Sequence, residues 1–168
     1  LAYNRATEDS DLEPWTAEQI RQYNQYQTLV PKTHRQLYNL AVSRLIDLKS
    51  WLEVNNDSPY KMWKEVKEET VMRNAVTGWL NDNASERYTC SQEYELPNGQ
   101  RPDILFQSNY VNWPVPVELK LLDNGWSGPD LCERLRNQLV GYYLREAPEG
   151  CGIMLLMWRG DTKPKKWN

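Results

Sequence analysis

Histidine and cysteine, the residues behind most protein zinc sites and disulfide frameworks, are scarce in this chain of 168 residues: one histidine, His34, and three cysteines, Cys90, Cys132 and Cys151. The cysteines are odd in number, far apart and form no C-x-x-C pair, so neither a structural zinc nor a disulfide scaffold is expected. Free thiols suit a reducing cytoplasm. Long apolar runs are missing too. No stretch approaches the ~18 residues that a membrane helix needs, and a mean hydropathy of −0.80 describes a polar chain, expected to be soluble with no membrane partner. Excess positive charge is also absent. Twenty Lys and Arg against 23 Asp and Glu leave a formal charge of −3, so no global basic field would drive nonspecific binding to nucleic acid; any such function must rest on a local site. Leu1 to Pro14 hold neither a basic segment nor an apolar core, so no secretory leader is expected, and a first residue other than Met suggests additional domains of a longer chain.

What is present fits one domain, at the usual ~100–200 residues per domain. Thr16 with Gln19 reads as a capping box, with Trp15 and Ile20 as a hydrophobic staple. Thr33 with Gln36 repeats the box ahead of a helical stripe of Leu37, Leu40, Ala41, Leu45, Leu48 and Leu52. Ser58 and Pro59 open a further helix, expected to run on toward Leu80 with Met72, Val76 and Trp79 on its apolar face. From Arg87 the period changes. Tyr88 to Leu96, the turn Pro97-Asn98-Gly99-Gln100, and Ile104-Leu105-Phe106 predict a β-hairpin; Val115 to Leu122 predicts a third strand. A long helix follows from Pro129 to about Glu146, and the run from Ile153 to Trp158 suits a buried strand. A helix between the third and last strands permits a parallel crossover, so the expectation is an α/β fold with a mixed sheet flanked by helices. Residues 1–57 read as an N-terminal helical extension, 58–158 as the core, and 159–168 as a basic C-terminal tail.

The chemistry concentrates in two short segments. Side chains alternate along a strand, so Glu118 and Lys120 share one face of the third strand while Val117, Leu119 and Leu121 point to the core. Should the strand beside it carry Asp103, two carboxylates and an ammonium converge, an arrangement that is costly without a balancing cation or anionic ligand. Oxygen ligands suit Mg²⁺ or Mn²⁺, which polarise a phosphoryl oxygen and lower the pKa of a bound water, while the lysine orients that water or stabilises developing charge. Hydrolysis of a phosphodiester is the chemistry implied.

Pro102-Asp103 with Glu118-Leu119-Lys120 resembles the two halves of the PD-(D/E)xK nuclease superfamily, over roughly residues 65 to 158. Gln138-Leu139-Val140-Gly141-Tyr142 matches the Q-x-x-x-Y element of its RecB-type branch. The resemblance implies a restriction-endonuclease-like αβββαβ core and a metal-dependent nuclease, with DNA rather than RNA as the expected partner and Mg²⁺ or Mn²⁺ as cofactor. Asp103, Glu118 and the Leu119 carbonyl would hold the metal. Lys120 would assist the attacking water, and Glu69, on the helix before the first strand, would add a ligand or position water, with Glu68 as fallback. Gln138, Tyr142 and Arg134, a helical turn apart, would position the site or the substrate. Such a chain would serve as the effector domain of a larger defence or DNA-processing protein, or form a homo-oligomer.

Blander readings stand beside these. A surface pair of Glu69 with Arg73 at i,i+4 is the alternative to a metal ligand, and Trp113 and Trp126, on loops flanking the third strand, either stack on bases or pack. His34 is expected to cap its helix or face solvent. Two rival functions stay open: a nuclease-fold module that binds nucleic acid or protein without cutting, and a plain interaction domain with an accidental motif. The last predicts Asp103 and Lys120 far apart, and the metal reading needs Asp103 and Glu118 within reach of one ion.

Overall fold

The computed structural model describes residues 15–21, 30–54, 60–96, 99–145 and 150–160. The first capping box forms, with the Thr16 N–H donating to Gln19 Oε1 at 2.8 Å and the Gln19 N–H to Thr16 Oγ1 at 3.2 Å, but Trp15 and Ile20 both stay exposed. Helix α1 (His34–Val54) starts where Thr33 Oγ1 accepts from the Gln36 N–H. Its leucine stripe lies as the period requires: Leu37, Ala41 and Leu48 are buried, and Leu40, Leu45 and Leu52 pack around them.

The single helix expected toward Leu80 is two. Helix α2 (Tyr60–Lys64) ends in tight turns, Glu65 and Val66 donating to the Met62 and Trp63 carbonyls, and Glu68 is extended before α3 (Glu69–Asp82) begins. The break lets Trp63 and Val66 reach the core that Met72, Val76 and Leu80 fill from a different axis. It also makes Glu69 the first residue of α3. Ser58 and Pro59 lie outside the described residues.

The hairpin forms as predicted from strands β1 (Thr89–Gln92) and β2 (Ile104–Gln107), antiparallel with Gln92 opposite Ile104. β1 is shorter than its run of strand formers because Glu93 takes a left-handed φ of 47° and turns the chain away. Gly99, at φ 77°, donates to the Leu96 carbonyl and closes the turn; Pro97 and Asn98 lie outside the described residues. Strand β3 (Val115–Leu121) pairs antiparallel with β2 and parallel with β4 (Ile153–Met157), giving a four-stranded mixed sheet of order β1-β2-β3-β4. Pro116 has no N–H to give, and it sits one residue before pairing with β4 begins at Val117 and Ile153, where that donor is not needed. β4 is an edge strand and only half-buried, with Leu156 37% exposed, not the fully buried strand its apolar run suggested.

Every residue of β3 is buried. Val115, Val117, Leu119 and Leu121 face the core made with α1, α3 and Ile104 and Phe106 of β2. The other face, carrying Pro116, Glu118 and Lys120, is covered by the crossover from β3 to β4. There α4 (Gly128–Arg134) starts at a capping box between Ser127 and Asp130. It then widens into a π-helix over Leu135–Tyr143, where the regular α-helix to about Glu146 was expected. The architecture is therefore α/β, a mixed sheet between helical layers. Helix α1 shares the core with α3, and the division expected at residue 57 falls in 55–59, outside the described residues. Arg159, expected at the start of a loose tail, is anchored by a 2.7 Å bond from its N–H to Asp123, while 161–168 lie outside the described residues. No helix among the described residues is long and apolar enough to cross a membrane.

Candidate active site

Four separated sequence positions meet at the C-terminal half of β3. Continuing the antiparallel register one step beyond Ile104 and Val117 sets Asp103 opposite Glu118. Alternation along β3 turns Glu118 and Lys120 to the same side, and the first turn of α3 brings Glu69 to the strand end. Lys120 Nζ lies 2.7 Å from Glu118 Oε1, 3.5 Å from Glu69 Oε2 and 3.9 Å from Asp103 Oδ2, and donates to the Leu119 carbonyl at 3.0 Å. Asp103 and Lys120 are close in space, against the prediction of an accidental motif. Side-chain exposure falls from 29% at Glu69 and 18% at Asp103 to 9% at Lys120 and 2% at Glu118, so the cluster opens to solvent on the Glu69 and Asp103 side.

The carboxylates are held by protein donors. Asp103 accepts from the Leu119 N–H at 2.9 Å and from Arg73 Nη1 at 2.9 Å; Glu69 accepts from the Leu121 N–H at 3.2 Å; Glu118 Oε2 accepts from the Tyr143 hydroxyl at 3.1 Å. Burial raises the pKa of Glu118, reinforced by the Asp103 charge, while Lys120 and Tyr143 pull the other way. Burial alone would lower Lys120, but the Glu118 hydrogen bond and the charges of Glu118, Asp103 and Glu69 outweigh it, leaving the ammonium above the ordinary lysine value. Tyr143 is raised by burial and by Glu118, so its hydroxyl keeps its proton.

Several residues stand differently from their sequence expectation. Arg73 does not pair with Glu69; it bridges Asp103 and Glu93, the latter at 2.7 Å. Glu68 is exposed and Glu69 enters the cluster. The tyrosine that reaches Glu118 is Tyr143, whereas Tyr142 is 48% exposed. The π-helix is the cause: its wider turn carries the site-facing position after Gln138 from i+4 to i+5. Gln138 is half-buried on the same π-helix as Tyr143, and its side-chain carbonyl oxygen is buried without a hydrogen-bond partner. Arg134 stays outside the carboxylate cluster but stacks on Trp126 at 5.7 Å from the ring centroid, and Lys120 Nζ is 5.8 Å from the same ring. Trp113 sits before β3, at the end away from Lys120. There its carbonyl meets His34 Nδ1 at 3.0 Å, and His34 Nε2 accepts from the Cys151 N–H at 3.1 Å. His34 is thus a buried tie between α1, the loop before β3 and the approach to β4, neither a cap nor a solvent-facing group. Sequence reasoning gave Arg73 to Glu69, left Trp126 between stacking and packing, and missed Tyr143. The one available signal was a basic residue on the apolar face of α3, beside Met72 and Val76.

The donor set, three carboxylates and a main-chain carbonyl, is the chemistry a hard divalent cation takes. Among the described residues, however, no three His, Cys, Asp or Glu side chains are spaced to hold a metal ion as they stand. The Lys120 ammonium lies in their midst. No family model, curated protein or solved structure matches this chain.

Proposed function

We propose that this chain is a divalent-metal-dependent nuclease with a restriction-endonuclease-like core, acting on DNA with Mg²⁺ or Mn²⁺. One observation carries the reading: carboxylates from three separate elements, Glu69, Asp103 and Glu118, surround one buried lysine at the end of the central strand. Three acids against two bases, Lys120 and Arg73, leave a net negative charge in a partly buried site, which a divalent cation would offset. Asp103 and Glu118, with the Leu119 carbonyl and Glu69, would hold the ion, which when bound supplies a polarised phosphoryl oxygen and a more acidic water. Lys120 lends its positive charge to the attacking water or the developing phosphorane. Arg73 fixes Asp103 from behind, Tyr143 fixes Glu118, and the more exposed Glu69 and Asp103 mark the side from which a phosphodiester enters.

A second reading, a nuclease-fold module that binds nucleic acid or protein without cutting, is favoured by the protein donors already on each carboxylate and by the spacing of the side chains. Plasmid, linear duplex, single-stranded DNA and RNA, incubated with Mg²⁺, Mn²⁺ or EDTA, separate the two. Metal-dependent cutting that drops by about 10³-fold or more in Asp103→Asn is expected; cutting that survives Asp103→Asn, or that persists in EDTA, overturns the assignment.

A further inference from the structure

The Lys120 ammonium contacts the whole set of groups assigned to the metal: Glu118 at 2.7 Å, Leu119 O at 3.0 Å, Glu69 at 3.5 Å and Asp103 at 3.9 Å. A strand lysine serving only the attacking water would stand beside that set, not within it. Two cations separated by less than about 4 Å in a poorly hydrated site repel strongly, so the ammonium and a divalent ion exclude each other from this position. We infer that Lys120 is a built-in competitor for the metal site: its ammonium closes the cluster in the metal-free protein and must withdraw for an ion to enter. The inference rests on the nuclease reading and adds its regulation.

The seated ammonium already lies within cation–π reach of an indole, a contact that a short withdrawal from the carboxylates can keep. Trp126 presents its ring 5.8 Å from Nζ, and a positive charge above an indole face is attracted to it. Arg134 already uses the same ring at 5.7 Å, so the indole is a working platform for cations. The anchors of the acids stay in place during such a movement. Asp103 keeps Arg73 and the Leu119 N–H, Glu69 keeps the Leu121 N–H, and Glu118 keeps Tyr143. Only the bonds to Lys120 are exchanged for bonds to the ion. The metal-free chain is thereby held in a satisfied, closed state, and metal affinity is lowered by the fraction of time the ammonium spends in the cluster.

The test is metal binding, read without cleavage. Calorimetric titration with Mn²⁺ alone compares the native chain, Lys120→Met and, as a control for loss of one nearby positive charge outside the site, Arg101→Ala, whose exposed side chain pairs with Glu95. Lys120→Met is expected to bind Mn²⁺ about tenfold more tightly or better, and Arg101→Ala to stay within about twofold of the native chain. A second measurement needs no variant: ¹H–¹⁵N spectra of lysine ammonium groups, with Lys120 assigned through its side-chain carbons. They should show a protected Lys120 signal in metal-free protein that shifts or disappears as Mg²⁺ saturates. Equal affinity in Lys120→Met and native protein, equal tightening in Arg101→Ala, or a Lys120 signal unmoved at saturation overturns the competitor role while leaving the nuclease reading intact. Absence of Mn²⁺ binding in every form overturns the nuclease reading, and the competitor role with it.

Discussion

Replacing Tyr143 by Phe tests the register of the crossover helix and the support of Glu118 at once. The substitution keeps the ring and removes one hydroxyl, which reaches Glu118 Oε2 at 3.1 Å and the Arg101 carbonyl at 3.2 Å. Glu118 is 2% exposed, so water cannot replace the lost donor without opening the packing between β3 and the π-helix. A hydrogen bond to a charged group is worth about 1.5–3 kcal/mol, and a buried acceptor left unpaired forfeits most of that. At roughly 2–4 °C per kcal/mol for a domain of this size, Tyr143→Phe should lower Tm by about 3–10 °C. Tyr142→Phe is the matched control. Its ring is 48% exposed, and changes at such positions stay within about 0.5 kcal/mol. Thermal unfolding followed by tryptophan fluorescence gives both values on one instrument. A regular α-helix would reverse the order, because Tyr142 and not Tyr143 would then follow Gln138 by one turn. Equal stability of the two variants, or the larger loss in Tyr142→Phe, would refute the π-helical register and the role assigned to Tyr143.

Gly152 has little room for a side chain: a Cβ there would meet Leu139 Cδ1 at 2.8 Å and the Pro116 carbonyl at 3.3 Å. Gly152→Ala should therefore destabilise by about 1 kcal/mol, read as a lower urea midpoint, since the buried Leu139 side chain must shift between the π-helix and the sheet. Thiol labelling at pH 8 should modify exposed Cys132 quickly and leave Cys90 untouched until the chain unfolds, because burial shields Cys90 and pushes its thiol pKa up; rapid labelling of Cys90 in the folded chain would contradict the packing of β1. The alkaline limb of stability also has a definite sign. Lys120, Tyr88 and Tyr143 all have raised pKa values in the folded chain, so the native state holds more protons than the unfolded one above about pH 10, and stability falls as pH rises there. That fall should be shallower in Tyr143→Phe than in the native chain, and a parallel slope would show that Tyr143 is not the group responsible.

The helix and strand periods, the hairpin turn and the order of elements were legible in the sequence because they are local. A leucine stripe at a 3.6-residue period can bury only one face, and alternation in Val117-Glu118-Leu119-Lys120 can send the charged pair to only one side. The break between α2 and α3 was not legible. Trp63, Val66, Met72 and Val76 satisfy a continuous helix as well as an interrupted one, and only the position of the shared core separates the two. The half-exposure of β4 was hidden for a similar reason: an apolar run states what a strand can bury, not whether a neighbour arrives to cover it.

For the candidate site, the residue types that supply the chemistry were set by sequence alone: Asp103 immediately precedes β2, and Glu118 and Lys120 lie on β3, two adjacent strands whose pairing follows from a short hairpin-like connection. Tertiary structure decided the rest. It chose Glu69 over Glu68 by starting α3 at that residue, gave Arg73 to Asp103 rather than to its own helix neighbour, and moved the supporting tyrosine from 142 to 143 by widening one helix. Each of these depends on contacts between elements distant in the chain, and a shift of one residue or one turn in a helix costs little locally while changing which side chain reaches the centre. The seating of the Lys120 ammonium amid the acids belongs to the same class, because α3 with Glu69 and the segment with Asp103 must both close on β3, which no pattern within either of them fixes.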